Sequence, residues 1–347
     1  MKNVLVTGGA GYIGSHTCVR LLETGCNVVV MDNLSNSNEL VFDRLRRITG
    51  REVAFVRADA RDRAALDTIF STWPIDAVIH FVGLKAVGES TQKPLEYFDV
   101  NIGSTLALCQ AMRDHEVRDL VFSSSATVYG AATRMPLTEA SPLGVTNPYG
   151  RTKLVIEQIL QDLHASDPFW NIALLRYFNP VGAHPSGLIG EDPSDVPNNL
   201  FPYISQVAVG RLKQLSVFGN DYPTPDGTGV RDYIHVMDLA EGHLRALEYL
   251  ESRPGCTIFN LGTGQGHSVL EAVHAFERVC GVRVPYVVAP RRPGDVAACY
   301  ADPSRARDVL GWQAAMGLED MVRDAWRWQQ GNPTGYGEKQ ERQRAGF

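Results

Sequence analysis

The chain has 347 residues, 44% of them hydrophobic and 21% charged, with a formal net charge of -6. That length supports a large core, in two domains or in one with a large appendage. The acidic balance, with no lysine and arginine block, excludes nucleic acid as the main partner, and six cysteines without close pairing or a zinc-like grouping point to free thiols in a reducing compartment.

The N-terminus enters strand pattern directly and no apolar run reaches membrane-spanning length, so a cytoplasmic protein with no membrane partner is expected. Val4-Leu5-Val6 predicts a buried strand. The stretch Thr7-Gly8-Gly9-Ala10-Gly11-Tyr12-Ile13-Gly14-Ser15 predicts a glycine loop opening a helix with Cys18, Val19, Leu21 and Leu22 on its buried face. Such a loop lets backbone amides approach a diphosphate where the helix dipole favours negative charge. A second strand, Val28 to Met31, ends in Asp32, about 20 residues past the loop as the dinucleotide fingerprint requires. Asp32 is expected to accept a bond from an adenosine ribose hydroxyl and to repel a 2'-phosphate, which predicts NAD rather than NADP.

Val53 to Val56, Ala77 to Phe81 and Leu120 to Phe122 continue the alternation of strands and helix-length segments. The rhythm predicts an α/β fold with a Rossmann-type, doubly wound parallel sheet. Asp59 and the turn Phe81-Val82-Gly83 fall at strand carboxyl ends, where ligands bind, and are assigned to the adenine and ribose pockets; Asn101 and Lys85 are further candidates. The strand around Phe122 runs into Ser123-Ser124-Ser125-Ala126-Thr127-Val128-Tyr129-Gly130, which puts hydroxyls on the same edge and makes Ser125 the candidate active-site hydroxyl. Asn147 is a predicted N-cap and Pro148 suits the first helical position, so Tyr149 and Lys153 share one helix face. A phenol, with a pKa of about 10, is a poor base at neutral pH unless a cation favours its phenolate, and Lys153 can supply one. That spacing is common on ordinary helices; its coincidence with a dinucleotide loop gives it chemical meaning.

After Leu174 to Phe178 the texture becomes rich in proline, glycine and asparagine through Pro202. A substrate loop is predicted there, with Asn198 to Pro202 suited to a polar ring. The predicted division is a nucleotide-binding domain over 1-178, joined by a returning strand-helix segment near 230-255. A smaller mixed α/β substrate domain over 179-330 and a loosely held tail over 331-347 follow. Pro290-Arg291-Arg292-Pro293-Gly294-Asp295 sets two arginines in a turn apt for bidentate contacts to a diphosphate. The nine histidines show no metal spacing, so no metal is predicted, and His80 and His235 are expected to be packed with satisfied rings.

These residues resemble the extended short-chain dehydrogenase/reductase family, and within it the nucleotide-sugar 4-epimerases, over nearly the whole chain. The resemblance is carried by Val6 to Ser15, Gly83 to Ser90, Ser123 to Gly130 and Tyr149 to Lys153. Arg176-Tyr177-Phe178-Asn179-Pro180-Val181-Gly182-Ala183-His184-Pro185 and Asp226 to Val236 add the more specific matches. It implies an isomerase in which tightly held NAD takes hydride from C4 of a UDP-hexose, UDP-glucose or UDP-galactose, and returns it to the opposite face. Tyr149 as phenolate would take the hydroxyl proton, Ser125 would assist, and Lys153 would lower the tyrosine pKa and hold the nicotinamide ribose. The implied cofactor set comprises Gly8, Gly11, Tyr12, Ile13, Gly14, Asp32, Asn33 and Asn36. It continues through Asp59, Ala60, Phe81, Val82, Gly83, Lys85, Asn101 and Phe178, with Ser125, Tyr149 and Lys153. For the substrate, Asn179, Asn199, Leu200, Arg231 and Arg292 would hold the uridine diphosphate, with Tyr177 near the sugar and Asp295 near the uridine ribose. Lys85, Thr127, Phe218, Tyr233 and Cys299 complete that set. A homodimer is implied as well.

Val82 stands where the family often has alanine, and Gly103-Ser104-Thr105 departs from the usual order. Cys299 stands where members carry either tyrosine or a small residue, and the small residue goes with room for an N-acetyl group. A nucleotide-sugar 4,6-dehydratase is the nearest rival, but it needs an acid and a base where this chain has Ala126-Thr127. A non-catalytic NAD-binding sensor is the rival of another class; it need not keep Tyr149, Lys153 and Ser125 together.

Overall fold

The computed structural model describes residues 2-193, 197-292 and 294-337. Its centre is a seven-stranded sheet in the order β11-β6-β5-β4-β1-β2-β3. Strands β1 (Asn3–Thr7), β2 (Asn27–Asp32), β3 (Ala54–Arg57), β4 (Ala77–His80), β5 (Asp119–Ser125) and β6 (Asn171–Tyr177) alternate with helices. Those helices are α1 (Tyr12–Glu23), α2 (Leu40–Thr49), α3 (Arg63–Thr72), α4 (Val87–Gln92), α5 (Pro94–Asp114) and α6 (Pro148–Ser166). All pairings in this sheet are parallel, so both faces must be covered by crossover helices.

Strand alternation sorts the apolar residues between two cores. Val4, Val6, Val28, Val30, Ala77 and Ile79 face one side with α1 and α2, while Leu5, Val29, Met31, Val78, Leu120 and Phe122 face the other with α3, α5 and α6. Because β1 lies between β2 and β4, the connections reverse there. The crevice at that switch point is bounded by the glycine loop after β1 and the Phe81-Val82-Gly83 turn after β4.

Beyond β6 come β7 (Asn179–Val181), α7 (Leu200–Ala208), β8 (Leu215–Phe218), β9 (Val230–Arg231) and β10 (Tyr233–His235). Helix α8 (Val236–Tyr249) then packs on α1, and β11 (Cys256–Leu261) joins β6. The chain thus returns to the large sheet through residue 261, further than the 230-255 segment expected. β12 (His267–Ser268), α9 (Val269–Cys280), β13 (Tyr286–Ala289), β14 (Ala298–Cys299), α10 (Ser304–Leu310) and α11 (Leu318–Gly331) complete the chain. A third core joins α7, α9 and α11 through Phe201, Ile204, Phe276 and Val322, whereas Ala306, Leu310 and Trp312 belong with the large sheet. Of the expected tail, residues 331-337 include a buried Tyr336 whose ring lies 4.9 Å from that of Trp328; residues 338-347 lie outside the described residues.

Phe259 of β11 is 0% exposed and packs edge-on against Tyr249. Phe259→Ala should therefore cost about 3 to 5 kcal/mol of stability in urea or thermal denaturation. A loss below about 1 kcal/mol would show that β11 is not part of the main core.

Candidate functional site

The glycine loop is shaped by backbone proximity. Gly8 has φ +74 and its N–H donates to Met31 O at 2.7 Å. A Cβ on Gly14 would land on Gly8 O and Gly9 Cα, so only glycine lets α1 start this close to the loop. Gly11 caps α1 without a side-chain hydrogen bond, and no acidic residue lies in the first turn. The opening amides and dipole of α1 are thus left for an external anion.

Asp32 is 8% exposed at the end of β2. It accepts from Ala10 N at 3.1 Å, Leu34 N at 2.8 Å and Ser37 Oγ at 2.9 Å, which ties the edge of β2 to the loop. Asn33 donates to Asp59 at 3.2 Å. Arg61 holds the Asp59 carboxyl down at about 2, chiefly by side-chain hydrogen bonding. Ala60 is buried beside them, and Asn36 lies in the loop between β2 and α2. This cradle fits a dinucleotide: a free helix start for the diphosphate and a carboxylate at the ribose edge.

Around α6 the expected cap is present, with Asn147 Oδ1 accepting from Gly150 N at 2.8 Å. Lys153 is 4% exposed, and its Nζ donates to Ser123 O at 2.7 Å while standing 4.8 Å from the Phe122 ring centroid. Ser125 hydrogen-bonds Tyr149. Ser125 Oγ accepts both Thr127 N–H at 3.2 Å and Thr127 Oγ1 at 3.0 Å, so its own proton is directed to the tyrosine. Burial raises Tyr149, and the Ser125 hydrogen bond opposes that rise. Burial likewise pulls Lys153 down to about 8 against the opposing charge of Glu157. Burial and Ser125, rather than Lys153, thus govern the ionisation of Tyr149 here, because the lysine head is anchored on β5.

The turn after β4 borders this pair: a Cβ on Gly83 would stand 3.6 Å from Lys153 Nζ. Asn101 clamps the turn, accepting from Leu84 N at 2.7 Å and donating to Thr152 Oγ1 at 2.9 Å. Phe81 packs against His243, ring centroids 4.8 Å apart. Val82 lies among the partly buried residues on the α5 and α6 side of the sheet. Phe178 is buried. Tyr12 donates its hydroxyl to Gly182 O at 2.7 Å, joining α1 to the segment after β7.

A second cluster gathers the residues assigned to the uridine diphosphate. Arg292 stacks over Phe218 at 4.7 Å and donates to Asp295 at 3.0 Å. Arg231 approaches Asp295 within 3.9 Å and donates to Val230 O at 2.8 Å and Val296 O at 2.9 Å. Arg291 is not part of this group: it pairs with Asp221 at 2.7 Å and stacks on Tyr222 at 4.1 Å, so the two arginines of the turn are held by different partners. Cys299 is paired in register with Arg231 between β14 and β9. Tyr233 is buried with its ring 5.2 Å from that of Phe201. Asn179 lies exposed on β7 and Leu200 opens α7. Across the gap between lobes, Glu191 Oε1 accepts from Lys85 Nζ at 3.1 Å and Asn199 Nδ2 at 2.9 Å.

Tyr177 is buried, and its hydroxyl donates to His243 Nε2, a tautomer fixed because His243 Nδ1 faces the acceptor Leu239 O at 2.8 Å. His80 also fills its role in packing, between Thr7 Oγ1 at 2.6 Å and Thr105 Oγ1 at 3.1 Å. His235 is buried as expected but its ring is not fully satisfied: Nδ1 accepts from Met237 N at 3.1 Å, while Nε2 lies 3.3 Å from Asp324 without a hydrogen bond. Sequence reasoning passed over Glu191, Asp232, His243 and Glu157. Only Glu157, one turn past Lys153 on the same face, carried a signal that spacing could have found. Asp232 is buried and accepts four hydrogen bonds from Thr263, Gly264 and Ala301, which pins β9 and β10 beneath Arg231. Among the described residues, no group of three or more His, Cys, Asp or Glu is arranged to hold a metal, and no helix is long and apolar enough to cross a membrane.

Known proteins resemble this chain over nearly its whole length. The family model described as GDP-mannose 4,6 dehydratase matches residues 5-325. A UDP-glucose 4-epimerase from Bacillus subtilis (strain 168) is 62% identical over 333 residues, 96% of this chain and 98% of that protein. The solved UDP-glucose 4-epimerase from Bifidobacterium longum, in complex with NAD+ and UDP, superposes with a TM-score of 0.94 at 53% identity. It covers 96% of this chain and 100% of its own. A UDP-glucose-4-epimerase from Stenotrophomonas maltophila, with bound NAD and formylated UDP-arabinopyranose, also gives 0.94, at 55% identity over 96% and 99% of the two chains. With full-length identity at this level on a shared fold, the chain belongs to the UDP-glucose 4-epimerase family.

Proposed function

We propose that this chain interconverts UDP-glucose and UDP-galactose by reversible epimerisation at C4, through a 4-keto sugar and with tightly bound NAD. The observation that carries the reading is the Ser125 proton aimed at Tyr149, with the Lys153 cation buried on the same helix face beside a dinucleotide cradle. When bound, NAD supplies reversible hydride exchange at the sugar carbon. Tyr149, as phenolate, takes the 4-hydroxyl proton and later returns it, while the Ser125 hydroxyl steadies the phenolate. Burial raises Tyr149 and lowers Lys153, and the phenolate-ammonium form is the competent one.

Gly8, Gly11, Gly14 and Asp32 hold the dinucleotide, with Asn33, Asp59 and the Gly83 turn at its edges. Arg231, Arg292, Phe218 and Asp295 hold the uridine diphosphate, with Lys85 and Asn199 at the lobe junction. Anchoring the nucleotide away from the reacting carbon leaves the hexose free to present either face. The division of labour is a sheet domain for cofactor and chemistry and a smaller lobe for substrate. The dehydratase reading is not favoured: Ala126 has no titratable group and the Thr127 hydroxyl donates to Ser125. A sensor would have no use for the directed Ser125 proton.

Cys299 is half-buried beside Phe178 and Ala301, and its small side chain supports turnover of N-acetylated UDP-hexoses too. Six unpaired thiols support a reducing, cytoplasmic setting, and the epimerisation itself gives the chain a place in galactose metabolism. A homodimer is supported by the apolar side chains that α5 leaves uncovered, Leu95 at 79% and Leu106 at 41% exposure.

Tyr149→Phe should lower kcat for UDP-galactose by about 10²- to 10⁴-fold while NAD stays bound, as followed by coupled assay and cofactor absorbance; full activity would refute the mechanism. Cys299→Tyr should abolish turnover of UDP-N-acetylglucosamine yet retain UDP-galactose, and an unchanged ratio of the two activities would remove Cys299 from specificity. Leu106→Arg should convert a dimer into a folded monomer in sedimentation equilibrium, whereas an unaltered mass would exclude this face.

A further inference from the structure

Tyr149, Lys153 and Glu157 recur every four residues along one face of α6. Glu157 has 0% and Arg176 1% side-chain exposure, and they form a bidentate pair at 3.0 and 2.6 Å. Ser124 Oγ donates to the same carboxylate. Arg176 continues to Tyr129 Oη at 3.0 Å and Glu139 O at 3.2 Å, and Tyr129 donates to Asn260 at 2.6 Å. The pair therefore makes only internal contacts. In the β5-β6 register Ser124 stands opposite Arg176, and Ser125 opposite Tyr177.

Three successive residues at the end of β5 are thus each held by a different α6 side chain: Ser123 O by Lys153, Ser124 Oγ by Glu157, and Ser125 through Tyr149. Removing two charges from water costs several kcal/mol, and apolar replacements of such pairs are often neutral or stabilising. Stability alone does not account for this one. We propose that Glu157 is a positioning residue of the epimerase reaction, on which reading the inference rests: its carboxylate sets the protonation of the Tyr149–Lys153 pair and fixes the strand end that carries Ser125.

The groups facing Lys153 are few. From α6 come Tyr149 and Glu157; from β4 comes His80, whose buried ring is pulled down to about 3 and stays neutral; from β5 comes Ser123 O; the turn after β4 contributes only Gly83; and Tyr149 itself faces Tyr97 of α5 and Tyr177 of β6, phenols that burial pushes up and keeps neutral. Arg176 is paired with Glu157 and offsets part of its charge. Glu157 therefore supplies the negative charge that opposes deprotonation of Lys153 on burial. Removing a negative charge disfavours the protonated forms, so both proton losses of the pair move to lower pH.

The test is the pH profile of kcat for UDP-galactose with the NAD-loaded full chain. Glu157→Gln should move both limbs to lower pH by about one unit and reduce kcat more than it changes KM. Glu157→Asp should hold the limbs near their wild-type place. Ser124→Ala, which leaves the ion pair intact, should lower kcat about 10-fold with the limbs unmoved. Because Glu157→Gln leaves Arg176 buried and unpaired and is liable to unfold, Glu157→Leu combined with Arg176→Met removes both charges together. This double variant should fold and show a smaller shift in the same downward direction, because the Arg176 cation that Glu157→Gln leaves behind is gone as well. Limbs that superpose on wild type in either charge-removing variant would overturn the proposal. A wild-type protein that does not epimerise UDP-galactose would instead overturn the function on which it rests.

Discussion

The docking of α6 against the carboxyl end of β5 is the contact on which the rest of the site depends. Lys153 donates into Ser123 O at 2.7 Å and lies over the Phe122 ring, so a cation is seated where backbone and side chain of one strand compensate its lost hydration. Everything with chemical meaning is referred to that anchor. Ser125 follows two residues along β5, Tyr149 one turn back along α6, and a side chain at Gly83 would already touch the lysine head. A parallel strand whose neighbours are also buried cannot shift its register without exposing its apolar faces, which is why this edge is rigid enough to aim a single hydroxyl proton.

The smaller lobe solves a different problem: holding cationic side chains in fixed positions. Carboxylates do this. Asp295 holds Arg292 and lies near Arg231, and Glu191 holds Lys85 and Asn199. A planar guanidinium stacked on Phe218 is pre-oriented as well as charge-paired. Orientation fixed in advance means fewer rotamers to order when a ligand arrives. The two lobes are joined by polar links such as Tyr12 to Gly182 O and by a shared apolar cluster in which Ala183, Ile189 and Trp328 pack with the core of the large sheet.

Much of the site was legible in the chain because its signals are local. The cap Asn147-Pro148, the spacing of Tyr149 and Lys153, and the loop from Gly8 to Gly14 each act within one or two turns, where backbone geometry leaves little choice. Other features were illegible because their partners lie far apart in sequence. Glu157 meets Arg176, Arg176 meets Tyr129, and Tyr129 meets Asn260 on β11. Asp232 finds Thr263 and Ala301. The division between Arg291 and Arg292, identical neighbours in a turn, was settled only when Asp221 and Asp295 came to opposite sides of it.

By itself, then, the sequence determined the parallel α/β sheet, the dinucleotide loop with its acidic partner, and the tyrosine-lysine pair, since hydrophobic period and helix spacing act over short range. Tertiary structure alone decided which groups control those residues. It turned Lys153 onto β5, made burial and Ser125 the governors of Tyr149, drew β11 back into the sheet, and placed Glu157 beneath the pair. The reason is physical: ionisation depends on burial and on charges brought near by folding, and neither exists until distant segments pack.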